Sequence, residues 1–284
     1  MTIVHSRAAT GIHAPSVSVE AHISNGLPRF SIVGLPETVV KESKDRVRSA
    51  LLNSHFNFPS RRITVNLAPA DLPKEGGRFD LPIALGILVA SRQLPQQALA
   101  HYEFAGELAL SGELRPFRGV LPFSLATQYT DRAFILPQAN ADEAALVQNT
   151  QVLPAHHLLD VCAHLTGRTQ LTRHVYTPHT DTHGDYPDLS DVHGQVHARR
   201  ALEIAAAGRH NILFIGPPGT GKTMLASRLP GLLPELSDQE GLEVLALNSI
   251  THRSRQLKHW RQRPFRSPHH TTSSVALVGG GNPP

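Results

Sequence analysis

The stretch NILFIGPPGTGKTMLASRL, residues 211–229, constrains the fold of this chain more than any other feature. It contains the pattern G-x-x-x-x-G-K-T, with a short apolar run before it and helix-like spacing of Leu225 and Leu229 after it. A glycine-rich turn between a strand and a helix places backbone N–H groups around a phosphate. The sequence therefore predicts an α/β domain in which NILFI is a parallel strand and TMLASRL begins a helix.

We expect the phosphates of ATP to bind at this turn. Lys222 supplies a mobile cation for the β- and γ-phosphates, and Thr223 supplies a hydroxyl ligand for Mg²⁺. ATP and Mg²⁺ are therefore the predicted cofactors. The predicted phosphate-binding residues, called the phosphate loop below, are Gly216, Pro217, Pro218, Gly219, Thr220, Gly221, Lys222 and Thr223.

The sequence after the phosphate loop lacks a group that hydrolysis needs. P-loop ATPases hold Mg²⁺ and orient the attacking water with an acid at the end of a later strand. This sequence contains no Asp or Glu after Glu243, and the acids at 235, 238, 240 and 243 lie in a polar, helix-like stretch. We therefore expect ATP binding without turnover above background, and we identify no catalytic residue in this chain.

The same acid-free stretch is rich in basic residues, with Trp260 and Phe265 among them. Such a pattern is typical of a contact with DNA or another subunit. A solvated basic helix and loop explains it equally well. The basic residues are Arg253, Arg255, Lys258, Arg261, Arg263 and Arg266.

Composition indicates a soluble globular protein, because 40% of the residues are hydrophobic and 18% are charged. The longest apolar run, residues 81–90, is too short to span a membrane, and the N-terminus has no secretory pattern. The single cysteine, Cys162, has an apolar context and is predicted to be a buried structural thiol. We expect a cytoplasmic protein, and the net charge of +4 hints at polyanionic partners.

The chain divides by texture into a domain at 1–167, a polar linker at 168–187 and a second domain at 188–284. The first domain alternates strand-like and helix-like stretches, with Val17, Val19, Ala21 and Ile23 at period two and Val40, Val47 and Leu51 on one helical face. Residues 79–91 read as a buried helix and residues 102–116 as a hairpin. Because the linker histidines His174, His179 and His183 match no ligand spacing, no metal site is expected.

Several stretches resemble the YifB/ComM family of AAA+ ATPases, which is related to the ATPase subunit of magnesium chelatase. The resemblance runs from residue 1 to 284. It implies ATP-driven action of a homo-hexamer on branched or single-stranded DNA when incoming DNA is recombined. Family members continue beyond GGGNPP, so a truncated member or partial gene is expected. The stretches are GLPETVVKESKDRVRSAL, ITVNLAPADLPKEGGRFDLPIALGIL, GELALSGELRPFRGVLP, GPPGTGKTMLASRLPGLLPEL and PFRSPHHTTSSVALVGGGNPP.

The N-terminal domain resembles the proteolytic domain of Lon, which has the ribosomal-S5-like α+β fold and a Ser–Lys dyad. Aligning LPKEGGRFDLPIAL with the serine motif places Arg78 at the nucleophile position. Aligning GELALSGELRPFRGVLPFSL with the lysine motif places an apolar residue, at about Phe123, at the position of the base. Neither side chain performs that chemistry, so the resemblance implies a non-proteolytic scaffold that helps a ring assemble and contacts DNA.

Two other functions remain open from the sequence. The chelatase relationship implies a chaperone-like module that remodels a protein or metal-insertion partner, and an inactive nucleotide-binding remnant is the third interpretation. DNA binding would weaken with salt because phosphate contacts release counterions, whereas binding of a protein partner need not.

Overall fold

The computed structural model describes residues 1–177, 186–250, 257–269 and 271–279, with the side chains of residues 258 and 278 left aside. The strands in these ranges are β1 Thr2–Arg7, β2 Ser16–Ser24, β3 Arg29–Val33, β4 Arg62–Ala68, β5 Tyr102–Phe104, β6 Glu107–Leu108, β7 Leu114–Arg115, β8 Ala133–Pro137 and β9 Val152–Ala155. The helices are α1 Thr38–Asn53, α2 Asp80–Ala90, α3 Val120–Thr127, α4 Ala141–Ala145, α5 Leu158–Leu165, α6 Val196–Gly208, α7 Lys222–Ala226, α8 Leu229–Leu232, α9 Asp238–Ile250 and α10 Ser274–Val278.

Seven strands form one mixed sheet in the order β3-β4-β2-β1-β5-β8-β9. Strand β2 runs antiparallel to β1 and β4, whereas β3 pairs parallel with β4 and the run β1-β5-β8-β9 is parallel throughout. The period-two prediction for β2 is confirmed: Val17, Val19 and Ala21 are fully buried, and Ile23, near the end of the strand, is partly buried against the same core. The α/β class predicted from the sequence is confirmed.

Helices α1 and α2 bury the apolar positions that the sequence marked. Val40, Val47 and Leu51 of α1 are fully buried, and every residue of α2 up to Val89 is buried. Gly86 allows α2 to approach β2 closely, because a Cβ there would lie 3.1 Å from the Cβ of Ala21. Both predicted helices are confirmed.

The predicted hairpin at residues 102–116 forms only in its second half. β6 and β7 pair antiparallel, as expected. β5, however, is a central strand that pairs in parallel with β1 and β8. Its apolar residue Phe104 is fully buried, which a hairpin with a solvent-facing side would not require.

The thiol of Cys162 lies in the main hydrophobic core, as predicted. Burial raises the pKa of this thiol to about 12. The reactive form of a cysteine is the thiolate. The side chain is therefore an unreactive part of the core at neutral pH.

Part of the predicted linker is docked on the first unit. Leu171 packs against the main core, and its backbone N–H donates to His164 Nδ1 at 3.1 Å. His174 forms an isolated β-bridge with Val152, and its Nε2 lies 2.7 Å from Asp142 Oδ1. The chain forms two compact units. The first unit comprises Met1–Pro178 and Leu245–Leu257, and the second comprises His179–Val244 and Lys258–Pro284.

His179 and His183, the other two linker histidines, lie outside the described residues. Within the described ranges, no group of three or more His, Cys, Asp or Glu side chains is placed to hold a metal ion. In the same ranges, none of the helices combines the length and apolar character that crossing a membrane requires.

The second unit has its own small apolar cluster, formed by Leu189, Val192, Leu202 and Leu225. The prediction that residues 211–215 form a strand is wrong for this structure. Strands require hydrogen bonds to a neighbour, and no described segment pairs with these residues. Ile212 and Phe214 still pack against the cluster, with Leu213 and Ile215 more than four-fifths exposed on the other side.

Candidate phosphate-binding site

Two glycines give the phosphate loop its shape. Gly219 has a φ of +81° and Gly221 a φ of +82°, in the left-handed region that side-chain-bearing residues rarely adopt. Gly221 is also the N-cap residue of α7, so the chain turns directly from the loop into the helix. The sequence predicts a helix over TMLASRL from Thr223; the structure confirms a helix there, and α7 begins one residue earlier, at Lys222, and ends at Ala226.

The backbone donors of the loop have no internal acceptor. Pro217 and Pro218 carry no N–H, so the available donors begin at Gly219. From Gly219 to Thr223, no backbone N–H donates a hydrogen bond to any described residue. These donors are therefore available to an external acceptor at the start of a helix, where negative charge is favoured.

The Lys222 ammonium curls back over the loop. Its Nζ lies 2.8 Å from Gly216 O, 2.6 Å from Pro217 O and 3.4 Å from Thr220 Oγ1. The Thr220 hydroxyl in turn donates to Pro217 O at 2.9 Å, which ties the crest of the loop to its entry. Among the described carboxylates, none forms an ion pair with Lys222, so its positive charge is not neutralised within these ranges.

These groups fit the phosphates of a nucleotide. Several unpaired N–H groups, one ammonium and the exposed hydroxyl of Thr223 lie within a few consecutive residues. If Mg²⁺ binds here, Thr223 offers it one oxygen ligand. The ion would supply charge neutralisation to the β- and γ-phosphates.

The acids that follow α8 are engaged elsewhere. Glu235 and Asp238 lie 3.7 and 3.4 Å from Arg261 Nε, and Glu240 accepts from the backbone N–H and hydroxyl of Ser237. Glu243 accepts from Gln239 one helical turn away at 3.4 Å. Their contacts give these carboxylates structural roles around α9.

The predicted basic patch is only partly described. Arg253 and Arg255 lie outside the described residues, and the side chain of Lys258 is likewise outside them. Arg261 pairs with the two acids named above, and Arg263 Nη2 lies 4.0 Å from Glu240. Only Arg266 of the described set is exposed without an ion pair among these residues. The two paired arginines thus do not form an unneutralised basic patch.

The two positions aligned with the Lon dyad come together in the structure. The guanidinium carbon of Arg78 lies 5.4 Å from the ring centre of Phe123 and 5.8 Å from that of Phe117. Nε and Nη1 of Arg78 are sealed from solvent without an acceptor among the described residues. Burial lowers the pKa of this arginine. The positions that the alignment assigns to a nucleophile and its base thus hold a cation packed on aromatic rings.

The sequence did not predict two residues that the structure places at these sites: Phe117 beside Arg78, and Gln195 beside the phosphate loop. Phe117 is held by Asn140, whose side chain accepts from Phe117 N at 3.1 Å and donates to Phe117 O at 3.0 Å. Gln195 donates from Nε2 to Thr220 O at 3.4 Å, although it lies 25 residues before the loop crest. Its position directly after a glycine and before an alanine-rich helix was the available signal.

Comparison with known proteins covers nearly the whole chain. A family model described as subunit ChlI of Mg-chelatase matches residues 19–140, and one described as magnesium chelatase, subunit ChlI, matches residues 188–284. Competence protein ComM of Haemophilus influenzae is 55% identical over 288 residues, which cover 100% of this chain and 57% of ComM. The uncharacterized protein YifB of Escherichia coli is 53% identical over 281 residues, covering 99% of this chain and 55% of YifB.

A shorter match links the chain to proteases. An archaeal Lon protease of Archaeoglobus fulgidus is 46% identical over 52 residues, or 18% of this chain and 8% of that protein. The chain spans about half the length of the ComM and YifB relatives that it matches.

Proposed function

Because the chain belongs to the YifB/ComM family of magnesium-chelatase-like AAA+ ATPases, with a Lon-like α+β domain before its P-loop residues, we propose that it binds ATP with Mg²⁺ at residues 216–223. One observation carries this proposal: the backbone N–H groups from Gly219 to Thr223 have no acceptor among the described residues. Lys222 pairs with the β- and γ-phosphates, and Thr223 holds Mg²⁺.

The Lys222 ammonium exchanges its two carbonyl contacts for phosphate oxygens when ATP binds. A hydrogen bond to a charged partner is worth about 1.5–3 kcal/mol. Substitution K222A should therefore weaken ATP binding about ten- to a hundredfold. The charge-assisted contacts to a triphosphate are lost while the backbone donors stay.

A titration with a fluorescent ATP analogue in the presence of Mg²⁺ tests this proposal. The matched control is K41A, which removes an exposed lysine from α1. We expect K41A to bind like the unchanged protein and K222A to bind weakly. Equal affinities of all three proteins would refute the assignment of the phosphate loop.

For the longer proteins of the family, we propose that ATP binding drives a homo-hexamer on branched or single-stranded DNA during recombination of incoming DNA. The relative in Haemophilus influenzae is a competence protein, which supports this proposal. We propose that this function takes place in the cytoplasm. The free, buried thiol of Cys162 is compatible with a reducing compartment. Exposed Arg266 and the basic residues outside the described ranges are the proposed contacts.

A second candidate is a chaperone-like remodelling module, which the match of both regions to a magnesium-chelatase subunit favours. A four-way DNA junction separates the two functions. Affinity that falls steeply between 50 and 200 mM salt, on the order of 10²-fold for four phosphate contacts (Arg253, Arg255, Lys258 and Arg266), supports the DNA function. No binding of the junction at low salt would favour the remodelling function or an inactive nucleotide-binding remnant.

A further inference from the structure

We infer that Gln195 is a positioning residue for the phosphate loop, which orients the Thr220–Gly221 peptide so that its N–H faces a bound phosphate. The inference rests on the proposed function. Its first support is the contact between Gln195 Nε2 and Thr220 O at 3.4 Å. This contact joins the residue before α6 to the crest of the loop.

Because the Thr220–Gly221 peptide is trans, the contact at Thr220 O also determines the direction of the Gly221 N–H. In a planar trans peptide, the C=O and the following N–H point in opposite directions. An amide that holds Thr220 O therefore directs the N–H of Gly221 away from Gln195. That N–H is one of the donors without an acceptor among the described residues. The hydrogen bond from Gln195 to Thr220 O thus fixes the direction of the Gly221 N–H on the opposite side of the peptide.

The backbone of Gln195 leaves its side chain free for this contact. Gln195 is the N-cap residue of α6, and its carbonyl accepts the N–H of Arg199 at 2.9 Å. Its side chain makes no capping hydrogen bond. Glutamine is also not among the preferred N-cap residues, which are Ser, Thr, Asp and Asn.

The backbone conformation at this position is costly for a glutamine. Gln195 has a φ of +51° and follows Gly194 at +73°, so two successive residues are left-handed. Glycine adopts this conformation readily, whereas a longer side chain adds strain there. A glutamine at a place that suits glycine is consistent with a function of its amide group.

The turn and the loop rest on the same apolar cluster. Leu189 and Val192, shortly before Gln195, are 6% and 1% exposed and pack with Leu202 of α6. Leu225 of α7, one turn after Lys222, belongs to the same cluster. The turn that carries the Gln195 amide and the helix that follows the phosphate loop therefore pack against one apolar cluster, which keeps the distance between the amide and the loop fixed.

Two substitutions test the role of the amide without unfolding the turn. Q195G removes the side chain and relieves the left-handed strain. Q195N keeps an amide that is one methylene too short, on a residue type that tolerates φ above zero. The control is H193A, which removes a neighbouring exposed side chain. Probes are inorganic pyrophosphate, ATP and GTP, each titrated with Mg²⁺, with thermal unfolding of every variant measured in parallel.

We expect Q195G and Q195N to bind all three probes about three- to tenfold more weakly, as for one lost hydrogen bond. An equal loss of affinity for ATP, GTP and pyrophosphate would show that Gln195 affects the binding of the phosphates and not of the base or the sugar. The melting temperature of Q195G should stay the same or rise, and H193A should bind normally. A merely structural role would lower stability together with affinity.

Binding of pyrophosphate by Q195G and Q195N as tightly as by the unchanged protein would overturn the inference alone. A loss of affinity that accompanies a lower melting temperature would also overturn it, as would a loss confined to ATP. If the unchanged protein binds neither ATP nor pyrophosphate, the proposed function fails and the inference fails with it.

Discussion

Glu143 of α4 makes the stability of the first unit depend on pH. Burial raises the pKa of this carboxyl from 4.5 to about 7, and its Oε1 is sealed from solvent without a hydrogen-bond partner among the described residues. The folded protein therefore keeps the proton between pH 4.5 and 7, where the unfolded chain releases it. Because the folded state binds more protons in this window, the free energy of unfolding falls as the pH rises.

The size of the effect follows from the difference between the two pKa values. Each pKa unit corresponds to about 1.4 kcal/mol, so the shift from 4.5 to about 7 sets a ceiling of about 3.5 kcal/mol. The side chain as a whole is half-buried, so solvent reduces the cost of its charge. We expect about 1–2 kcal/mol of stability to be lost between pH 4.5 and 7.

The substitution E143Q removes this titration. Urea unfolding at a series of pH values should show similar stability for both proteins near pH 4, where the carboxyl is protonated. Above pH 7, E143Q should be more stable by about 1–2 kcal/mol. E42Q, on the exposed side of α1, is the control and should follow the unchanged protein. A constant difference between E143Q and the unchanged protein from pH 4 to pH 8 would refute the reasoning.

The remaining predictions concern chemistry that the sequence argues against. With Arg78 and Phe123 at the dyad positions, the purified protein should not cleave casein with or without ATP. Cleavage that persists in K222A would show that the alignment assigns the dyad to the wrong residues. A polypeptide of these 284 residues should release phosphate from saturating ATP and Mg²⁺ no faster than background, with or without branched DNA, because its acids near α9 are engaged with other groups. Steady turnover of about one per second that K222A abolishes would contradict this account.

Local patterns predicted the parts of the fold in which one segment carries its own information. Period-two alternation located β2, helical spacing located α1, and a continuous apolar run located α2. The phosphate loop was predicted because its glycines, lysine and threonine are consecutive. In each case the residues that decide the structure lie within about twenty positions of one another.

Features that depend on distant partners could not be predicted in this way. Residues 211–215 have the composition of a strand, but a strand exists only if another segment pairs with it. The arginines at 261 and 263 look like a free basic patch until Glu235, Asp238 and Glu240 are placed beside them. The place of Gln195 between a glycine and an alanine-rich helix marks a turn but does not reveal its contact with Thr220, because that contact depends on the packing of residues on other helices.

The β-bridge between Val152 and His174 also has a consequence for solubility. β9 is the last strand of the sheet, and a strand in that place presents unpaired N–H and C=O groups that a second molecule can join. The backbone of residue 174 takes one of these sites through its N–H bond to Val152 O, and Pro154 offers no N–H at all. Residues that composition marks as a dispensable connection thus help to keep the edge of the sheet from seeding aggregation.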